Sequence, residues 1–191
     1  MVSFFGFTVY NEQDINCCWL IKKEERPRME IGIGDYVFHT HCGVCRVEEI
    51  APLSGDDSGM LYFVLRPLYG DEKSTIVRVP LSRSDSLTAP MSKEEALQAV
   101  KEWPSTRTYI YLSDSKVRKS AYEASLKSGL VKDLAPLLEG AFQRKLKDGH
   151  LNSMDSQFVA KATPIVYGEL AFGLGIDYED VPEFIRANAK A

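Results

Sequence analysis

The chain has 191 residues, of which 45% are apolar, 10% aromatic and 26% charged, with a net charge of −4. That composition excludes extensive disorder and suits one medium domain or two small ones. No apolar run approaches the ~20 residues of a membrane-spanning helix, and the four cysteines (Cys17, Cys18, Cys42, Cys45) are too few for a disulfide scaffold, so a reduced, cytoplasmic protein is expected.

The first segment, MVSFFGFTVYNEQD, lacks the basic start and small-residue cleavage site of a secretory signal. Lys22, Lys23, Glu24, Glu25 and Arg26 can all be encoded by purine-only codons just upstream of Met29, where a bacterial ribosome-binding site would lie. Two expectations stay open: translation starts at Met29 after a misassigned start, or residues 1–28 are a genuine N-terminal extension.

From Met29 to about Ser86 the pattern is one of short strands and turns. DYVFH, VCRVEEI, MLYFVLRPLY and TIVRVP are rich in Val, Ile, Tyr and Phe, and THCG, SGDDSG and GDEKS between them carry turn chemistry. Leu61, Phe63 and Leu65 alternate with Tyr62, Val64 and Arg66, a period of two. Four such strands predict a small, strongly curved antiparallel barrel. The first turn gathers His39, His41, Cys42 and Cys45. A zinc site needs four N or S ligands, usually from two separated pairs, and a thioredoxin-like C-x-x-C would open a helix. Here one C-x-x-C leads into a strand, which favours a plain strand turn, with no metal and no cofactor expected.

After Pro90 the period changes to that of helices. Ser92 with Glu95 forms a capping box ahead of ALQAVKEW. SDSKVRKSAYEASLKSG predicts a second helix stopped by Gly129, and LVKDLAPLLEGAFQRKLKDG a third, with Val131, Leu134, Leu138, Phe142 and Leu146 on one face. Asn152 caps a fourth that Pro164 should kink and Gly175 end, and YEDVPEFIRANAK makes a short fifth. The expected fold is α+β in two domains: residues 29–88 as a Tudor-like or SH3-like barrel and residues 89–191 as an all-α domain of about five helices. Charge is divided the same way. Residues 29–88 carry five Lys/Arg against nine Asp/Glu, whereas residues 101–147 carry ten against five.

IGIGDYVFHTHCGVCRVEEI, YFVLRPL and TIVRVP, followed by a helical part ending in YGELAFGLG, closely resemble the CarD-like bacterial transcription regulators. Their N-terminal module is shared with the RNA-polymerase-interacting domain of the transcription-repair coupling factor. The resemblance rests on Gly34-Asp35, Gly43, Val77-Arg78-Val79-Pro80 and Gly168-Glu169-Leu170-Ala171 in order. It implies a barrel that docks on the RNA polymerase β subunit and helices that touch promoter DNA at the upstream edge of the melting bubble.

The charges suit that division, since phosphates attract the basic helices and repel the acidic barrel. Arg78, within Val77, Val79 and Pro80, is the residue expected at the polymerase, where a guanidinium makes a directional contact to a carboxylate or carbonyl. For DNA the expected residues are Lys116, Arg118 and Lys119 at the start of the second helix. Three neutralised phosphates would give a slope of log K on log salt near −2.7. Relatives use a tryptophan there as a minor-groove wedge; here that position falls on Tyr111 or Ser115, while Trp103 lies upstream as a packing residue. Arg144, Lys145 and Lys147 are less telling, because a helix C-terminus favours cations anyway. Gly168 in the GELA stretch points to close helix packing.

No G-x-x-x-x-G-K-[ST], H-E-x-x-H or G-x-S-x-G motif occurs, so no enzyme and no small-molecule substrate are expected. The expected function is regulation of open-complex stability. The alternatives are a protein–protein adaptor and a thiol or zinc sensor on the same scaffold.

Overall fold

A computed structural model describes residues 30–53, 59–70, 75–104, 110 and 112–189; the two readings of residues 1–28 lie outside that set. Five strands follow in order: β1 (Tyr36–His39), β2 (Gly43–Pro52), β3 (Leu61–Pro67), β4 (Val77–Pro80) and β5 (Leu87–Thr88). All pairings are antiparallel, in the order β4-β3-β2-β1-β5. The register of β2 on β3 shifts between Val47 and Glu49, a bulge that bends the long β2 strand. The result is a curled half-barrel whose strand order ends at β4 and β5. β5 is two residues long and follows a 3-10 turn at Leu81–Ser86, so it left no periodic signal in the sequence.

Alternation along the strands sends two sets of side chains to two cores. Val37, Cys45, Val47, Phe63, Leu65, Val79 and Leu87 pack together inside the curl. Their neighbours Phe38 and Val44 belong instead to the cluster formed with the helices. The sheet therefore has a core of its own and also lends side chains to the helical core.

Among the described residues the α-helices are α1 (Lys93–Lys101), α2 (Ser115–Ser128), α3 (Val131–Asp148), α4 (Ser153–Leu174) and α5 (Val181–Asn188). The predicted caps are present. Ser92 Oγ accepts from the Glu95 N–H (3.2 Å) while the Ser92 N–H donates to the Glu95 carboxylate (2.7 Å). Asn152 caps α4 through the Asp155 N–H, and Gly129 and Gly175 end α2 and α4 in the left-handed conformation. α4 runs unbroken through Pro164, whose ring lies against Gly70 on the sheet side.

The stripe expected on α3 holds for Val131, Leu134 and Leu138, which are buried, but fails at Leu146, which is 77% exposed. Lys145, Lys147 and Asp148 beside it are exposed too, so this turn of the helix has outrun its neighbours.

α4 is the element that meets the sheet. Tyr36 of β1 packs on Phe172 with ring centroids 5.1 Å apart. Gly43, at φ +70°, brings the β1–β2 turn so close that a Cβ there would stand 3.3 Å from the Ile165 Cα. A Cβ on Gly168 would stand 2.6 Å from the Tyr69 ring. The GELA stretch thus reports packing, although the close partner is Tyr69, beyond β3, and not another helix. Trp103 is buried after α1, with its ring 6.4 Å from that of Tyr167, in the packing role expected for it.

Candidate functional site

The outward face of β2, β3 and β4 forms a shallow groove lined by Glu48, Glu49, Ala51, Pro52, Val64, Ile76 and Arg78. Register explains the grouping: Val64 stands opposite Glu49 on one side and Arg78 on the other, so the three share a row across the strands. Glu48, at the bulge, accepts two hydrogen bonds from Arg66 (2.5 and 2.9 Å). That contact pulls the Glu48 carboxyl below the ordinary carboxylate range. Arg78 is exposed and has no ion-pair partner among the described residues. The strand is at one end of the sheet, so Arg78 stands at a border of the groove.

The flanking residues of the expected quartet behave differently. Val79 is buried inside the curl, Val77 packs against the same core, and Pro80 is half-buried. Alternation turns Arg78 and Pro80 outward, with only Arg78 exposed, while the two valines face inward and hold the strand in place.

The start of α2 divides the expected DNA contacts in the same manner. Asp114 caps the helix, accepting from the N–H groups of Lys116 (2.8 Å) and Val117 (2.9 Å). Lys116 and Lys119 are exposed and one turn apart, with Lys119 3.9 Å from Glu123 in a surface pair of little energetic weight. Arg118 does not join them. It is 7% exposed, and its Nε lies 3.0 Å from Oδ1 of Asp155, which is 0% exposed. Arg144 of α3, 6% exposed, approaches the other carboxylate oxygen at 2.7 Å. Both are ion pairs by distance, with Nε off the line of a hydrogen bond.

Tyr122 donates its hydroxyl to Asp155 (3.0 Å), and burial followed by the Asp155 charge pushes the phenol up to about 12. The expectation that Arg118 faces DNA is therefore corrected: a buried carboxylate holds its guanidinium inside. Tyr111 lies outside the described residues, and Ser115 is exposed as the first residue of α2.

Sequence reasoning missed Asp155, which reads as an ordinary first-turn acid of α4. A signal was available in its partners. Arg118, Tyr122 and Ser125 follow one another at helical spacing on the buried face of α2, as do Leu137, Ala141 and Arg144 on α3. An arginine on an apolar stripe calls for a buried anion.

At the β1–β2 turn Cys45 is in the sheet core, Cys42 is half-buried and the rings of His39 and His41 meet edge to face at 5.6 Å. Burial, then the His41 charge, lowers the His39 pKa. Among the described residues no group of three or more His, Cys, Asp or Glu side chains is placed to hold a metal ion. Nor, among them, is any helix long and apolar enough to cross a membrane.

Residues 31–93, about a third of the chain, match the family model of the CarD-like/TRCF RID domain. The matched stretch spans β1 to β5, and the match supports a CarD-like RNA-polymerase-interacting domain there. The match supports an interaction with RNA polymerase in general and a role connected with transcription. No curated protein matches the chain.

Proposed function

We propose that the protein is a non-enzymatic bacterial transcription regulator, acting in the cytoplasm, that bridges the RNA polymerase β subunit and promoter DNA and sets the lifetime of the open complex. Residues 29–88 form the polymerase arm and residues 89–191 the DNA arm. The observation that carries this reading is Arg78, exposed at the border of a sheet groove within the segment that matches a polymerase-interacting domain. Its guanidinium offers a forked, charge-assisted contact to a carboxylate or carbonyl of the partner. Calorimetric titration of the chain with the β-subunit lobe tests it. Binding that Arg78→Glu abolishes is expected; wild-type binding that Arg78→Glu leaves intact rejects this site.

The DNA arm rests on Lys116 and Lys119, with Tyr111 as the aromatic wedge in place of a tryptophan. Two phosphates neutralised give a salt slope near −1.8, shallower than the value for three because Arg118 is withheld. A tenfold change in open-complex population takes about 1.4 kcal/mol of differential affinity, within reach of a few such contacts. Tyr111→Ala is expected to shorten the open-complex lifetime while leaving polymerase affinity unchanged.

One observation favours a second reading. Arg118 and Arg144, two cations of the basic segment, are drawn inside by Asp155. If the remaining surface is too weakly basic for DNA, the helices bind a protein and the chain is an adaptor. Polymerase binding without salt-sensitive DNA affinity would decide for it.

A further inference from the structure

The buried cluster around Asp155 sets two guanidiniums on one carboxylate. Tyr122 and Asn152 donate to the same carboxylate at 3.0 and 2.9 Å, and the Tyr122 hydroxyl is also hydrogen-bonded to Arg144. The remaining buried guanidinium N–H groups need acceptors too. Those acceptors come from the backbone just before α2: Arg118 Nη1 donates to the carbonyls of Leu112 (2.7 Å) and Ser113 (3.2 Å), and Arg144 Nη1 reaches the same Leu112 carbonyl at 3.4 Å. The next residue is Asp114, whose side chain caps α2 at Lys116 and Val117. A second tether, from the Ile110 N–H to the Pro136 carbonyl (3.1 Å), ties the same lead-in to α3.

We propose that Asp155 is a positioning residue for the nucleic-acid surface: it holds Arg118 and Arg144 so that they grip the Leu112 and Ser113 carbonyls, which fixes the Asp114 cap and aims Lys116 and Lys119 at the phosphate backbone. The inference rests on the DNA arm proposed above. It explains why Arg118, flanked by the exposed Ser115, Lys116 and Lys119, turns inward. An arginine suits the task because its planar fork reaches a carboxylate and carbonyls at once, whereas a lysine ammonium is a single point of charge. The cluster also joins three helices, with Asp155 in the first turn of α4, Arg118 near the start of α2 and Arg144 near the end of α3. The pose of the basic turn is thereby set by the whole helical unit and not by α2 alone.

The direct variant, Asp155→Asn, leaves two buried guanidiniums without their anion and is liable to unfold the helical part. Arg118→Lys is the better probe, since it keeps the charge and the ion pair and removes only the fork. Two readouts are taken on the full chain: amide hydrogen exchange at Lys116 and Val117, and the affinity for a mixed-sequence DNA duplex as a function of salt, with Lys116→Ala/Lys119→Ala as reference.

In Arg118→Lys, exchange at those two amides should speed up at least tenfold while amides in the middle of α4 keep their protection. DNA affinity should fall on the order of tenfold, with a salt slope shallower by about 0.9 for each phosphate that is no longer neutralised. Unchanged exchange at Lys116 and Val117 overturns the proposal. So does wild-type DNA affinity in Arg118→Lys beside weakened binding in the lysine double variant, an outcome that leaves the DNA reading standing. A double variant that binds like wild type sinks the DNA reading itself, and the inference falls with it.

Discussion

Gly168 shows how two opposing effects are weighed at one residue. Replacing a mid-helix glycine by alanine gains about 1 kcal/mol of helix propensity. Here the new Cβ would stand 2.6 Å from Tyr69 Cδ2, 3.0 Å from its Cγ and 3.1 Å from its Cβ, atoms near the root of the side chain that cannot swing away. Overpacking of this kind costs about 1–3 kcal/mol, so Gly168→Ala should destabilise by roughly 1 kcal/mol net, read as a lower midpoint in urea at unchanged slope. His39 gives a test in pH. Burial and His41 hold its pKa below the ordinary 6.5, so the folded state refuses a proton that the unfolded chain accepts. Stability from neutral His39 is complete above about pH 6.5 and declines as the pH falls toward the lower folded value. The midpoint of thermal unfolding should therefore drop between about pH 7 and pH 5, and drop less in His39→Gln.

At the scale of elements, caps and turns were the most legible features because they depend on local chemistry. Ser92 with Glu95, Asn152, Gly129 and Gly175 mark helix ends by side-chain hydrogen bonds or left-handed backbone, and each sits where the sequence placed it. Asp114 is a further cap, seen only in the structure: removing its two hydrogen bonds in Asp114→Ala should cost about 1 kcal/mol. That loss, measured by chemical denaturation, should come with weaker protection of the first turn of α2. Legibility ended where a position depends on distant residues. Leu146 continues a perfect apolar stripe, yet it is exposed because α3 outlasts its neighbours. Arg118 belongs to a basic run, yet it is buried because Asp155, far along the chain, lies opposite. Arg78, singled out through the family's Val-Arg-Val-Pro context, is exposed on its strand, but its place opposite Val64 and Glu49 follows from pairing across three strands.

Over the whole molecule the question is whether the sheet and the helices unfold together. The curl has an inner core of its own, which by itself argues for an independent unit. Against that, Phe38 and Val44 are buried only by joining the helical cluster, and Tyr36, Tyr69 and the Gly43 turn are fitted to Phe172, Gly168 and Ile165 of α4. Cutting the chain after Ser92 would return Phe38 and Val44 to water, at about 1.5–3 kcal/mol for each large apolar side chain. A small domain with a net stability of about 5 kcal/mol has little margin for that loss. The full chain should therefore melt in one cooperative transition, with calorimetric and van't Hoff enthalpies in agreement, while a fragment of residues 30–92 should melt at a markedly lower temperature and bind a hydrophobic dye. Two separate transitions in the full chain, the lower one matching the isolated fragment, would show instead that packing across α4 is too weak to couple the parts. The proposed bridging role depends on the result: a single cooperative body holds Arg78 and the Lys116–Lys119 turn at a fixed separation, so binding at one arm can bias where the other lands.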